Sequence, residues 1–471
     1  MVSTNNLWAC SASELAHAYA GGDCSPADVI DCLAHRIETI NPHLNAFVTL
    51  DLEGARAAAV ASEARWRAGA PLSALDGVPV SIKDNLTVGG MRSTWGSALY
   101  AQFVPDADEL PVARLRAAGA LILGKTNCPE LTVHGYTDNL LFGVTRNPWD
   151  TALTPGGSSG GAAAAVSAGL GPIALATDGG GSIRRPASYT GLVGLKPSRG
   201  RVARANGFPS VLLDCEVVGP IARTVEDMRL VMQVIGQPDG QDPLSTLLSH
   251  ETFECDAPRA CRILHVPQFG DAPVDREITD SVTAATRTLE SLGHRVETGT
   301  VPLDFDALGQ SWSVLSQTGL RWLADRHAGW ESQVGPAIAS LIAAGGTLSA
   351  VQYYEALEQF AQLKRDLARV IERYDVILTP SAAAMPWPAA NAYPAVIDGH
   401  DVGPRGHAVF TAFVNMSGCA AINLPAAPAP NRMPIGFQLV GPVGSDGLLC
   451  KLGLQYEDAF DNSPSWPPLC G

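Results

Sequence analysis

The sequence predicts an α/β protein with a mixed, largely parallel central β-sheet covered by helices on both faces. Three observations predict it. Short apolar runs of strand length alternate with longer amphipathic or alanine-rich runs along most of the chain. Residues 262–266, 275–292 and 294–297 read as strand, helix and strand, a pattern that implies a parallel sheet with helices on its faces. Of 471 residues, 46% are apolar and 17% charged, which supplies a sizeable core and argues against disorder.

Taken in order, residues 13–19 read as a short helix capped by Ser11 or Ser13, with Glu14 in its first turn. Ser25-Pro26 opens a second helix, which runs to Ile40 and ends at Asn41-Pro42. A strand at 47–50 and an alanine-rich helix at 53–68 follow. After a break at Gly69-Ala70-Pro71 comes an apolar strand at 78–82. Residues 89–111 are loop-rich, and 112–118 are helical. The run from Gly119 to Thr126 matches the phosphate-loop pattern G-x4-G-K-[ST] letter for letter. Its helix lies before it, however, and the residues between its glycines read as a buried strand. A structural role is expected for Lys125, with a nucleotide-binding P-loop protein as the remote alternative.

Further on, 173–177 reads as a strand and 225–234 as a helix. Residues 236–258 are polar and punctuated by Pro and Gly, a natural boundary. Long helices are expected at 305–327 and 349–373. Trp312, Trp322, Trp330, Tyr353, Tyr354 and Phe360 read as core or groove walls. A strand at 375–380 leads into a long Ala/Pro/Gly-rich loop at 381–407, of a length that is often functional. That loop is expected near the mouth of the site, with Met385, Trp387 and Tyr393 as walls. Next come a helix at 410–416, strands at 421–424 and 435–440, and a closing helix at 448–460. The Pro-rich tail from Asp461 is expected to fray.

The net charge of −15 argues against sequence-independent nucleic-acid binding. The ten cysteines show neither CxxC nor zinc spacing and read as reduced thiols in a reducing compartment. The N-terminal residues have no basic and apolar leader pattern. The longest apolar run, 162–177, is broken by Gly169, Gly171 and Pro172, so no membrane span is expected. A cytoplasmic protein is the resulting expectation. Oligomeric state is not fixed by the sequence, and a homodimer stays open.

Chemistry concentrates in two glycine–serine turns, at 156–161 and 179–182, the second preceded by Asp178. Such tracts are often linkers, but both are flanked by apolar, periodic sequence. A serine after three glycines can sit beside a row of outward-pointing N–H groups, the layout of a nucleophile beside an oxyanion hole. Lys83 ends the 78–82 strand. Burial would lower its pKa and make it a base toward a serine hydroxyl; the alternative is a lysine that snorkels to the surface.

These three runs resemble the amidase signature family. Residues 77–85 resemble its lysine motif and 156–161 its serine-rich motif. Asp178 to Ser182, followed by Ile183-Arg184-Arg185-Pro186-Ala187, resembles its nucleophile motif. The spacings also agree: 75 residues from Lys83 to Ser158 and 24 from Ser158 to Ser182. The likeness runs from the first helices to about Phe460 and is densest over 75–224.

The resemblance implies an α/β/α sandwich spanning 1–471 as one domain, with a catalytic core at about 72–225 and a helical, groove-forming part at about 240–407. It implies a triad of Lys83, Ser158 and Ser182, with a cis peptide at Gly157-Ser158. The N–H groups of Gly179, Gly180, Gly181 and Ser182 would form the oxyanion hole. Ser159, Asp178 and Arg184 would support the turns. Thr132, His134, Tyr136, Thr137 and Asp138 become candidate substrate contacts, with His134 equally readable as a packed loop histidine. No metal or organic cofactor is implied.

The activity implied is cleavage of the C–N bond of a small or aryl/alkyl amide through an acyl-serine. The alternative is a carbamate or ester hydrolase using the same triad. More distant is the role of a glutamine-amidotransferase-type subunit. Two departures from the family pattern are visible: Gly179 where many relatives carry Thr, and Arg185 where a small, apolar or amide residue is common.

Overall fold

The computed structural model describes residues 4–254, 258–460 and 466–470. Its strands are β1 (Phe47–Leu50), β2 (Pro79–Lys83), β3 (Leu121–Thr126), β4 (Ile173–Asp178), β5 (Val193–Lys196), β6 (Val217–Ala222), β7 (Arg262–His265), β8 (Arg295–Thr298), β9 (Val376–Pro380), β10 (Val396–Ile397), β11 (His400–Asp401), β12 (Ala420–Ala426) and β13 (Ile435–Gly441). Among the described residues, eleven of these form one sheet in the order β1-β3-β2-β4-β6-β5-β12-β13-β9-β7-β8. The sheet is mixed. Parallel ladders join β3, β2 and β4 in one wing and β9, β7 and β8 in the other. Antiparallel ladders from β4 through β6, β5, β12 and β13 to β9 connect the wings. β10 and β11 make a separate small hairpin inside the long loop.

The parallel pairing of β2 with β4 positions the site. Val80 pairs with Ile173 and Ile82 with Leu175, so both strands end at the same edge of the sheet. Lys83 arrives there from β2, and Thr177 and Asp178 from β4. Ligand sites in open α/β sheets lie at such carboxyl ends. Behind them, every residue of the helix Gly160–Ser167 is buried. Its run of four alanines lets it pack closely against the sheet, which holds the preceding turn over the strand ends.

Two expectations are corrected. The second helix does not stop at Asn41-Pro42 but runs as Pro26–Leu44, with Asn45 in the left-handed conformation closing it. A proline in the last turn forfeits only one backbone bond. Here the Asn41 side chain accepts from the N–H groups of Ala46 and Phe47, tying the helix end to β1. The tail is described only from Trp466 to Cys470, and there it docks: Trp466 meets Trp8 edge-on at 4.6 Å between centroids. Residues 461–465 of that tail, and Cys255, lie outside the described residues.

The helices Arg184–Thr190 and Pro336–Gly345 go beyond those the sequence predicts. The second, PAIASLIAAG, is apolar almost throughout, with Ile338, Leu341, Ile342 and Gly345 at helical spacing and Ile338, Ile342 and Gly345 buried. It packs on the helix Phe305–Ala324, and Gly345 makes the approach possible: a Cβ there would lie 2.1 Å from the Gln317 carbonyl oxygen. Among the described residues no helix is long and apolar enough to cross a membrane.

Candidate active site

Lys83 is fully buried. Its Nζ donates to Ser158 Oγ at 2.8 Å, to Thr177 Oγ1 at 2.9 Å and to the Thr177 carbonyl at 3.3 Å. Asn85 Nδ2 also donates to Thr177 Oγ1, at 2.9 Å, and so holds that hydroxyl in place. Burial lowers the Lys83 pKa to about 8, because a desolvated ammonium is disfavoured. The peptide Gly157-Ser158 is cis. Ser159 Oγ donates to the Thr177 carbonyl at 3.1 Å, and its N–H donates to the Ser182 carbonyl at 3.2 Å, so Ser159 stitches the two turns together.

The second turn is organised by Asp178. Its carboxylate accepts from the N–H groups of Gly181 (2.7 Å) and Ile183 (3.0 Å) and from Asn415 Nδ2 (3.0 Å). It also forms a fully buried ion pair with Arg184, Nη2 to Oδ1 at 3.0 Å. Burial alone would raise the Asp178 pKa, but the Arg184 guanidinium and these donors hold it well below the usual carboxylate range. Gly181 has φ +112, a conformation that glycine adopts readily and other residues rarely.

The Gly181 N–H is thus committed to Asp178 and does not join the oxyanion donors expected from the sequence. Among the described residues, the N–H groups of Gly179, Gly180 and Ser182 have no hydrogen-bond partner in the protein. Those three remain open.

Ser182, 6% exposed, lines a cavity of about 340 Å³ together with Gly179, Gly180 and Arg185. Of the five expected contacts, Thr132, His134 and Tyr136 line it. Thr137 and Asp138 do not. The Thr137 hydroxyl instead braces the serine turn, donating to the Gly156 carbonyl at 2.9 Å and accepting from the Gly160 N–H at 3.2 Å. The His134 ring stacks on Tyr136 with centroids 5.2 Å apart, and burial lowers its pKa to about 4.

The cavity lining also brings in residues that the sequence did not single out as contacts: Leu212, Glu216, Gln317, Leu341, Arg405 and His407. Trp312 and Tyr393 line it as expected, whereas Trp387 sits behind His407 with ring centroids 4.7 Å apart. Lys125, of the phosphate-loop look-alike, is fully buried on β3 and ion-paired to Asp84 at 3.2 Å.

Comparison with known proteins extends this picture over the whole chain. A family model described as "Amidase" matches residues 28–450. A glutamyl-tRNA(Gln) amidotransferase subunit from Roseiflexus sp. (strain RS-1) is 33% identical, over 97% of this chain and 98% of that protein. Its counterpart from Synechococcus sp. (strain CC9605) is 34% identical, over 95% of each. Among solved structures, a bacterial aryl acylamidase of the amidase signature family superposes with a TM-score of 0.91 at 29% identity, covering 98% of both chains. A 6-aminohexanoate cyclic dimer hydrolase, solved with substrate, gives 0.89 at 26% identity, covering 99% of this chain and 100% of that one. The likeness takes in both the sheet that carries the serine turns and the loops that wall the cavity, and the chain belongs to the amidase signature family.

Proposed function

We propose that the protein is a serine hydrolase that cleaves the C–N bond of a small or aryl/alkyl amide through an acyl-serine intermediate. The observation that carries this reading is the buried contact of Lys83 Nζ with Ser158 Oγ at 2.8 Å. Among the described residues no carboxylate lies within ion-pair distance of Lys83. A lysine so placed loses its proton near neutral pH and becomes a base. Ser182 Oγ attacks the carbonyl carbon, and its proton passes through Ser158 Oγ to Lys83 Nζ. The oxyanion of the tetrahedral intermediate takes up the open N–H groups of Gly179, Gly180 and Ser182. The relay then protonates the leaving amine nitrogen, and water cleaves acyl-Ser182.

The part of the chain at about 72–225 supplies both turns, and the part at about 240–407 supplies much of the cavity wall. Trp312, Ala337 and Leu341 from that part, with Leu212 from the first, make the lining largely apolar, which supports an aryl or alkyl substituent. At about 340 Å³ the cavity is at the small end of the ~300–1,000 Å³ usual for ligand pockets, which favours a small substrate. Carbamates and esters present the same carbonyl to the same triad, and a matched amide, carbamate and ester panel ranks the three. The nine described cysteines are all free thiols, which supports a cytoplasmic setting.

The curated relatives favour a second reading, release of ammonia from glutamine for a partner protein. That role needs an anchor for the α-carboxylate of glutamine, a docking surface for the partner and a group to hold the α-ammonium. Among the described lining residues the carboxylate is Glu216, and Arg204 already pairs with it at 3.0 Å. Assay of glutamine hydrolysis by the purified chain, together with a search for a co-purifying partner, tests this reading.

The decisive experiment is covalent labelling with a fluorophosphonate, read by intact mass and peptide mapping. One adduct on Ser182, absent from Ser182→Ala, supports the acyl-serine route. No adduct on folded protein would refute it.

A further inference from the structure

Arg185 follows Arg184 in the chain but lines the cavity instead of meeting Asp178. It is 4% exposed. Its Nη1 donates to the Gly180 carbonyl at 2.9 Å and to Thr411 Oγ1 at 3.1 Å, and Nη2 donates to the Gly157 carbonyl at 3.3 Å. Its Nε is buried with no partner. The other buried or half-buried arginines nearby all meet carboxylates: Arg184 pairs with Asp178, Arg201 with Asp446, and Arg204 with Glu109 and Glu216. Among the described residues Arg185 has no carboxylate within ion-pair distance. Burial, and then the neighbouring Arg405, lower its pKa to about 10, so it keeps its charge at neutral pH. A buried charge without a counter-charge is costly unless a ligand supplies one.

Two further groups face the same space. Arg405 lies at the exposed mouth, its guanidinium carbon 5.9 Å from the centroid of the Trp312 ring. His407 is 3% exposed, and neither of its ring nitrogens has a partner. Burial, Arg185 and Arg405 together hold it neutral, with one N–H to donate. Gly135 lets the 132–136 loop come down on that ring: a Cβ there would lie 2.4 Å from His407 Nε2. The cavity carboxylate Glu216 is committed to Arg204. The cavity beside Ser182 therefore carries uncompensated positive charge and unpartnered buried nitrogens.

We infer that this cavity takes an amide bearing a carboxylate, held between the guanidinium groups of Arg185 and Arg405 with His407 as a further donor. This rests on the reading of Ser182 as the nucleophile for its chemistry, and on the geometry above for its binding. Planar guanidinium groups suit carboxylates through paired, charge-assisted hydrogen bonds. A purely positioning Arg185, which only clamps the Gly157 and Gly180 carbonyls, would give no preference for charge.

The test titrates Ser182→Ala calorimetrically with two matched pairs. In the first, N-phenylsuccinamate is set against N-phenyl-4-methylpentanamide, which replaces an acyl-side carboxylate by isopropyl. In the second, 4-acetamidobenzoate is set against 4-isopropylacetanilide, which does the same on the amine side. The carboxylate member of at least one pair is expected to bind about tenfold tighter or more, and which pair does so locates the group. That advantage should fall below about threefold when Arg185→Gln or Arg405→Gln is added.

Arg405 is exposed, so its variant keeps the test open even where Arg185→Gln unfolds the protein, as a thermal melt would reveal. Equal affinity within both pairs, or an advantage that survives Arg405→Gln or a folded Arg185→Gln, overturns the inference. Turnover by the unsubstituted protein is read separately. Hydrolysis of the neutral amides without any carboxylate advantage sinks the inference and leaves the hydrolase reading intact. A carboxylate advantage without hydrolysis or Ser182 labelling supports the site and sinks the hydrolase reading.

Discussion

Lys83 Nζ reaches Ser158 Oγ at 2.8 Å while the same nitrogen spans both oxygens of Thr177, the hydroxyl at 2.9 Å and the carbonyl at 3.3 Å. A carbonyl oxygen only accepts, and Asn85 already donates to the Thr177 hydroxyl. A neutral amine at this position keeps two N–H bonds on Thr177 and turns its lone pair toward Ser158. Thr177 therefore orients the proposed base as well as filling β4.

The pH profile follows from that base. The active form is the deprotonated amine, and burial brings its pKa down from 10.5 to about 8. Activity must then be low where Lys83 is protonated and rise as the proton is lost. With a chromogenic anilide, kcat/KM is expected to climb as pH rises through about 8 and to level off above it. Lys83→Met should lower kcat by roughly 10²–10⁴-fold and abolish that rise. A flat profile with chemistry limiting, or a Lys83→Met variant within tenfold of the unsubstituted protein, is incompatible with the relay.

Asp178 carries a different kind of prediction, one of stability. The Asp178–Arg184 pair is fully buried, and the guanidinium cannot shed its proton. Asp178→Asn keeps the shape but leaves Arg184 charged without a partner. A loss of ~3–5 kcal/mol in denaturant unfolding is expected, with the nucleophile turn disturbed because the Gly181 and Ile183 N–H groups lose a charged acceptor. A loss under ~1 kcal/mol would mean that the turn is held by something else.

How much of this is legible in the sequence depends on where each part lies in the chain. Lys83, Ser158 and Ser182 sit in short runs whose glycine pattern and spacing are visible without any knowledge of packing. The commitment of Gly181 to Asp178 is not legible, because four consecutive N–H groups look alike until their directions are known. Thr177 is hidden as the polar end of an apolar strand, although a threonine amid Ile-Ala-Leu-Ala is itself a signal. Arg405 and His407 come from a loop without periodicity, more than two hundred residues from Ser182. Only the fold brings them to the cavity. Pro42 misleads because a proline reads as a stop, whereas a last turn tolerates it, and here the helix closes only at Asn45, with Asn41 Oδ1 accepting from the N–H groups of Ala46 and Phe47 beyond it.

Glycine substitutions in the nucleophile turn should fall in a definite order. At Gly181 a methyl group would meet Thr411 Oγ1 at 2.3 Å on a backbone with φ +112, so Gly181→Ala is strained twice over. At Gly179 the clash is with Leu212 Cδ1 at 2.7 Å, the far end of a flexible side chain that can turn aside. Gly181→Ala is expected to lower kcat/KM at least as much as loss of an oxyanion donor, ~10²-fold or more, and to lower the melting temperature. Gly179→Ala should retain more of both. Side-by-side melting curves and initial rates settle the order, and the reverse ranking would contradict the turn geometry.

The phosphate-loop look-alike gives the last prediction. In a nucleotide site Lys125 would be free to meet phosphate. Instead its Nζ pairs with Asp84 at 3.2 Å and donates to the Leu86 carbonyl and to Ser93 Oγ, each at 2.7 Å, with no exposure to solvent. Its neighbours in β3 lie between β1 and β2, so the backbone has no free row of N–H groups to cradle a phosphate. Lys125→Met is expected to cost ~3–5 kcal/mol, because Asp84 is left buried and unpaired. Adding Asp84→Asn should recover part of that loss, since residues in one ion pair couple. ATP should shift the melting temperature of neither the unsubstituted protein nor the variant. A saturable ATP-induced stabilisation that Lys125→Met removes would show that β3 opens to a nucleotide and would overturn the structural role assigned to this lysine.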